Sequence, residues 1–210
     1  VTLSEDDLKR NDMYRANAQR AKAQSRFADY HDYLLSLEMT AEIGDFSPLY
    51  LQRITQLTNK SNQFNLTTKR YTAEQMEAVY NSDEYIRLYG KLYDKFGDNG
   101  VVAVTIGKTD SEDKGRLDIE LWLMSCRVLK RDMELAMLDS LVAQAKKRGI
   151  REIYGHYYPT AKNKMVAGLY ESFGFEKISQ DEEGNTAWRL LVEGHEDKNT
   201  VIKVKEEHYA

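Results

Sequence analysis

Scarcity sets the first bounds on this chain. Its 210 residues include one cysteine, Cys126, and two prolines, Pro48 and Pro159. A lone thiol excludes an intramolecular disulfide and leaves nothing to suggest secretion. Two prolines against fourteen tyrosines indicate ordered mixed sheet and helix rather than a disordered chain. No apolar run approaches the roughly 20 residues of a membrane span. A basic surplus is missing too. The net charge of -4 argues against a general nucleic-acid binder. The start, with Ser4, Glu5, Asp6 and Asp7, lacks the basic and then apolar pattern of a secretory leader. The expectation is a cytoplasmic protein that partners neither nucleic acid nor membrane and has no metal site.

What is present suffices for one core: 41% of residues are hydrophobic and 30% charged. From Ser4 to about Leu37 the chain is rich in Ala, Arg, Gln and Leu and free of Gly and Pro, which predicts helix. Its apolar positions Leu8, Tyr14, Ala18 and Ala21 are too sparse for a self-sufficient core face. This part reads as an arm packed on another module. A strand is expected over 37–44, a helix from Pro48 and a second helix capped by Thr72 and Gln75. Three strands follow, near 85–93, 101–106 and 117–125. Next come a helix over 131–148, a strand over 150–158, a helix over 162–173 and two strands near 175–179 and 186–192. The divisions are a helical arm or linker over 1–36, an α/β domain over 37–194 and a charged tail over 195–210, where Val201 to Val204 is a candidate edge strand.

That order of elements, together with Asn163, Leu169-Tyr170 and Gly174-Phe175, resembles the GNAT acyltransferase fold, a mixed sheet flanked by helices. The resemblance implies that Asn163 contacts a pantetheine arm and that Tyr170 protonates a departing thiolate. In that family a glycine-rich loop before the central helix lets backbone N–H groups hold the phosphates of CoA. Here the loop runs Arg127-Val-Leu-Lys130-Arg131-Asp132, with Lys130 and Asp132 at the glycine positions and Asp132 a candidate cap for the helix. Arg127, Lys130 and Arg131 remain as phosphate partners, but the lost glycines argue against tight CoA binding.

Four longer segments carry a closer likeness. WLMSCRVLKRDME from Trp122 to Glu134, TNKSNQFNLTT from Thr58 to Thr68, FGDNG from Phe96 to Gly100 and YPTAKN from Tyr158 to Asn163 resemble the C-terminal domain of FkbH-like proteins. Members of that family join a HAD-type phosphatase domain to a GNAT-like acyltransferase domain and load a glyceryl-type acyl group onto an acyl carrier protein. The likeness therefore implies two partners, an acyl carrier protein whose phosphopantetheine arm is co-substrate and a phosphatase domain. This chain lacks the D-x-D-x-[TV] behind an apolar strand that phosphatase chemistry requires, and no cofactor is expected within it.

Cys126 is the candidate nucleophile. It falls where a strand hands over to a helix beside Arg127 and Arg131, and cations and a helix N-terminus both stabilise a thiolate. Strict alternation along the strand places Glu120, Trp122, Met124 and Cys126 on one face, making Glu120 a candidate general base. His156 on the neighbouring strand is a candidate to orient or deprotonate Cys126. The amides of Asn59, Asn62, Gln63 and Asn65, with Lys60, offer donor–acceptor pairs to a polyhydroxylated acyl group. Asp98, Thr160 and Lys162 join this substrate set through their motifs. A buried, inert cysteine and a loop that bonds its own backbone remain the plainer alternatives, as does a non-catalytic module that docks the carrier or braces the phosphatase.

Overall fold

The computed structural model describes residues 4–206. Two helices lead, α1 (Glu5–Gln24) and α2 (Tyr30–Ser36), capped by the side chains of Ser4 and Asp29. Then come β1 (Met39–Gly44), α3 (Pro48–Lys60), α4 (Ala73–Tyr80), β2 (Tyr85–Asp94), β3 (Gly97–Thr109) and β4 (Arg116–Met124). A 3-10 turn at Cys126–Val128 leads to α5 (Met133–Lys147), β5 (Glu152–Tyr157), the short α6 (Leu169–Ser172), β6 (Glu176–Gln180), β7 (Thr186–Leu191) and β8 (Ile202–Glu206). The expected capping box is present: Thr72 accepts from the Gln75 amide and Gln75 from the Thr72 amide.

Eight strands form one mixed sheet in the order β6-β7-β5-β4-β3-β2-β1-β8. Most neighbours are antiparallel, while β4–β5 and β1–β8 run parallel. One face packs against α5 through Leu117, Ile119, Trp122 and Met124 of β4. The other packs against α3 and α4 through Leu121 and Leu123. This switch of faces has a local cause. Ile106 pairs with Leu121 and Gly107 with Ile119, so Glu120 is the extra residue of a β-bulge, and alternation reverses across it.

Two sequence-based expectations change here. The supposed continuous helix over 162–173 is a 3-10 turn at Lys164–Val166 and then a four-residue helix. The candidate edge strand of the tail is present, since β8 lies at the edge of the sheet beside β1. The arm is docked only at one end. Ala23, Tyr33 and Leu34 enter the main core, whereas Leu8 and Tyr14 stay exposed. The Arg20 guanidinium donates to both oxygens of Asp94, at 2.6 and 2.8 Å, fastening α1 to the end of β2.

Candidate active site

The parallel partners β4 and β5 pair only over Arg116–Asp118 and Glu152–Tyr154. Beyond that they diverge, leaving backbone groups of both strands facing a wedge. The chain fills the wedge itself. The Leu66 amide donates to the Trp122 carbonyl and the Met124 amide to the Phe64 carbonyl, both at 3.0 Å, and Asn65 bridges to Leu123. On the other side the Tyr158 amide donates to the Leu66 carbonyl at 2.9 Å. The Thr67 hydroxyl donates to the Glu120 carbonyl at 2.7 Å, at the bulge. Residues 64–67 thus act as a short inserted strand satisfying groups that would otherwise be buried without partners.

Asn163 locks this insert. Fully buried, its side-chain nitrogen donates to the carbonyls of Asn65 (2.9 Å) and Tyr158 (3.0 Å). Its oxygen accepts from the Thr160 amide and the Tyr157 hydroxyl. The residue expected to touch a pantetheine arm has its hydrogen-bonding capacity committed to the chain's own segment. Most of the amide-rich loop is likewise turned inward. Asn59 donates to the carbonyls of Thr55 and Tyr71, and Asn65 donates to Ser61 and accepts from the Thr68 amide. Asn62 is held by Arg70 and the Lys60 carbonyl. The plainer reading of those amides is the one the geometry follows.

Gln63 is the exception. It is exposed, and its side-chain oxygen lies 3.2 Å from the Cys126 sulfur, which donates to it. Cys126 is exposed at the head of the 3-10 turn, where the Ser125 hydroxyl accepts from the Arg127 amide. Arg127 is half-buried, and burial holds its pKa below the ordinary guanidinium value. Together with Arg53 of α3, whose pKa is lowered by burial and by Arg127, it lines a groove of about 1140 Å³ beneath α1. Asp98, Asn99 and Gly100 line the same groove.

The loop after Cys126 keeps a glycine-like backbone without glycine. Lys130 has φ +64° and Asp132 φ +65°, the left-handed region that side chains disfavour. Asp132 makes no side-chain cap to α5, contrary to expectation. Arg131 turns inward, donating to the Arg127 carbonyl at 2.9 Å and lying 3.5 Å from Asp94. The arm covers this loop, with the Tyr30 hydroxyl donating to the Lys130 carbonyl.

Two expected catalytic groups stand elsewhere. His156 meets Asp118 at 2.8 Å rather than Cys126. Glu120, displaced by the bulge from the face of Trp122 and Met124, pairs with Lys69 at 3.1 Å. Burial drives Asp118 upward, but hydrogen bonds from His156 and Arg116 outweigh it and hold the carboxyl below its ordinary value. Tyr170 is fully buried against Trp122 and Phe175, and burial raises its pKa against the opposing effect of the His156 backbone. Of the remaining substrate candidates, Thr160 bonds the Lys162 and Asn163 amides, while Lys60 and Lys162 are exposed. Sequence periodicity does not show the contacts of Asp118 with His156 and of Gln63 with Cys126, because a parallel strand pairing and a crossing loop create them.

No protein-family model and no curated protein matches the sequence. Solved structures do match in shape. The ribosomal-protein-S18-alanine N-acetyltransferase of Escherichia coli superposes at TM-score 0.54 with 14% identity, over 73% of this chain and 94% of that one. An acetyltransferase from Thermus thermophilus gives 0.55 with 13% identity over 72% and 97%. The GNAT domain of S. lividans PAT gives 0.55 with 15% identity over 71% and 89%. At such identities the likeness establishes architecture: the mixed sheet flanked by helices is the GNAT fold, with an N-terminal helix in front.

Proposed function

We propose that this chain is the acyl-transfer domain of an FkbH-like biosynthetic protein. In this reading Cys126 accepts a glyceryl-type acyl group as a thioester and passes it to the phosphopantetheine thiol of an acyl carrier protein. The observation that carries the reading is convergence: three of the four motif segments interlock around the wedge through Leu66, Met124, Tyr158 and Asn163, and Gln63 reaches the Cys126 sulfur. The fourth, with Asp98 to Gly100, lines the groove that Arg127 enters. The thiol is exposed, where a carrier's phosphopantetheine arm can reach it, and it donates to the Gln63 side-chain oxygen. The phosphatase chemistry that releases the acyl donor belongs to a partner domain.

The test supplies a 1,3-bisphosphoglycerate-generating system, a HAD-type phosphatase domain in trans and a holo carrier protein, and reads intact masses. A glyceryl-sized adduct on this chain, absent after Cys126→Ala together with carrier loading, is the expected result. Loading that survives Cys126→Ala rejects the covalent relay. A second reading, a non-catalytic module that docks the carrier, draws on the filled wedge and the committed Asn163 amide. It predicts carrier binding with no adduct under the same conditions.

A further inference from the structure

A second polar cluster lies across the inserted segment from Cys126. The His156 imidazole Nε2 stands 2.8 Å from Asp118 Oδ1, and Arg116 donates to both Asp118 oxygens at 2.9 Å. The Arg116 guanidinium stacks 3.8 Å from the centroid of the Tyr154 ring, which fixes the whole chain of contacts. Asp118 and His156 line a cavity of about 490 Å³ together with Thr67, Lys69, Glu120 and Tyr158. Both members of the pair are partly accessible, each 24% exposed. Asp118 stands six positions before the end of β4 at Met124, roughly 20 Å at the rise of a strand, and Cys126 lies beyond that end and outside the lining, so this cavity is separate from the thiol.

Its chemistry can be read from hydrogen-bond capacity and charge. An ionised Asp118 only accepts, so the neutral imidazole donates from Nε2 and leaves the Nδ1 lone pair free. Of the charged groups lining the space, Lys69 pairs with Glu120 at 3.1 Å, and Asp118 is neutralised by Arg116, which stands outside the lining. Such a cleft offers no surplus charge to an ammonium group or a phosphate, and it suits an uncharged polar ligand. The exposed Tyr158 ring, 6.3 Å from the imidazole, adds an apolar wall for the C–H face of such a molecule. Around His156 stand Arg116, Asp118 and Glu120 from β4, Lys69 from the loop and Tyr158 beyond β5; its β7 pairing partner is the uncharged Ala187.

We propose that His156, oriented by Asp118, is a general base that activates an uncharged hydroxyl acceptor in this cleft for acyl transfer from an ester or thioester. The hydroxyl proton passes to Nδ1 as its oxygen attacks the acyl carbon. The carbonyl re-forms as the bond to the leaving group breaks, and the departing oxygen or sulfur takes the proton back from the imidazolium. One acyl bond is exchanged for another with no oxidation. His156 is the catalytic residue here and Asp118 a positioning residue.

The experiment uses the full chain carrying Cys126→Ala in every sample, so its result is independent of any role for that thiol. p-Nitrophenyl acetate is the donor and glycerol the acceptor, and monoacetylglycerol is measured by mass spectrometry against a protein-free blank. Product should form above the blank, with a rate that rises with pH through one ionisation. His156→Gln should lower it at least tenfold. Asp118→Asn should retain part of the rate and move the midpoint to lower pH, because the carboxylate no longer supports the imidazolium; a purely structural role would not move that midpoint. Ring 15N NMR of the Cys126→Ala chain adds a reading that needs no further variant: the neutral His156 must carry its hydrogen on Nε2. Product no higher than the blank, equal product from His156→Gln, or a hydrogen on Nδ1 would each overturn the proposal.

Discussion

Lys130 holds a backbone conformation that its side chain disfavours. Its φ of +64° carries a left-handed penalty of about 1–2 kcal/mol, whereas glycine occupies the region freely at a conformational-entropy cost of roughly 0.5–1 kcal/mol. The side chain makes no ion pair among the described residues, and the contact the loop relies on here, the Tyr30 hydroxyl to the Lys130 carbonyl, is a backbone one. Lys130→Gly should therefore leave stability unchanged or raise it by up to about 1 kcal/mol, read from urea midpoints. The same change at Lys147 in the last turn of α5 should lower stability by up to about 1 kcal/mol. A loss at Lys130 equal to that at Lys147 would mean that the loop relaxes out of the left-handed region. At Gly155 steric need replaces torsional need, because a Cβ there would sit 2.5 Å from the Tyr170 ring.

At the scale of elements, the insert over residues 64–67 depends on Asn163. Asn163→Ala strips partners from the buried Asn65 carbonyl, the half-buried Tyr158 carbonyl and the Thr160 amide. A cost of about 2–4 kcal/mol is expected. The sharper readout is hydrogen exchange. The amides of Leu66, Met124 and Tyr158, which zip the insert to its neighbours, should lose protection while β2 and β3 keep more of theirs. Equal acceleration across the sheet would mean that the insert has no separate opening step. None of this was legible in the sequence. Asparagine and glutamine serve a ligand or the backbone equally well, so TNKSNQFNLTT announced a network without saying what it binds. The bulge at Glu120 was hidden for a related reason, since one extra residue leaves composition and length unchanged while reversing which face each later side chain meets. By contrast, the capping box and the end of α5, where Gly149 follows at φ +76°, were readable, because local backbone needs dictate local residue types.

For the whole molecule, the succession of strands and helices was legible from period and turn chemistry, and the sheet order follows the fold those elements implied. The docking of the arm was not, since it turns on Arg20 meeting Asp94 across 74 positions rather than on an apolar stripe. That same end of the sheet concentrates charge: Arg20, Arg131 and Asp94 are buried, and Glu134 adds a carboxylate whose buried Oε2 has no hydrogen-bond partner among the described residues. Burial chiefly, and Asp132 nearby, raise the Glu134 pKa above its ordinary value. A carboxyl that is harder to ionise in the fold than in the unfolded chain contributes stability below the unfolded pKa, near 4.3, and loses it as pH rises through the folded value. Asp118 has the opposite sign: its lowered pKa contributes above about 3.9 and is lost as pH falls through the folded value. Glu134→Gln should therefore be more stable than the parent at pH 7, with the difference closing below about pH 4. Asp118→Asn should be less stable at pH 7, with its deficit shrinking in acid. Urea midpoints for both variants between pH 3 and 8 separate the two effects. A Glu134→Gln difference that stays constant across that range would show that burial of the charge is not its cause.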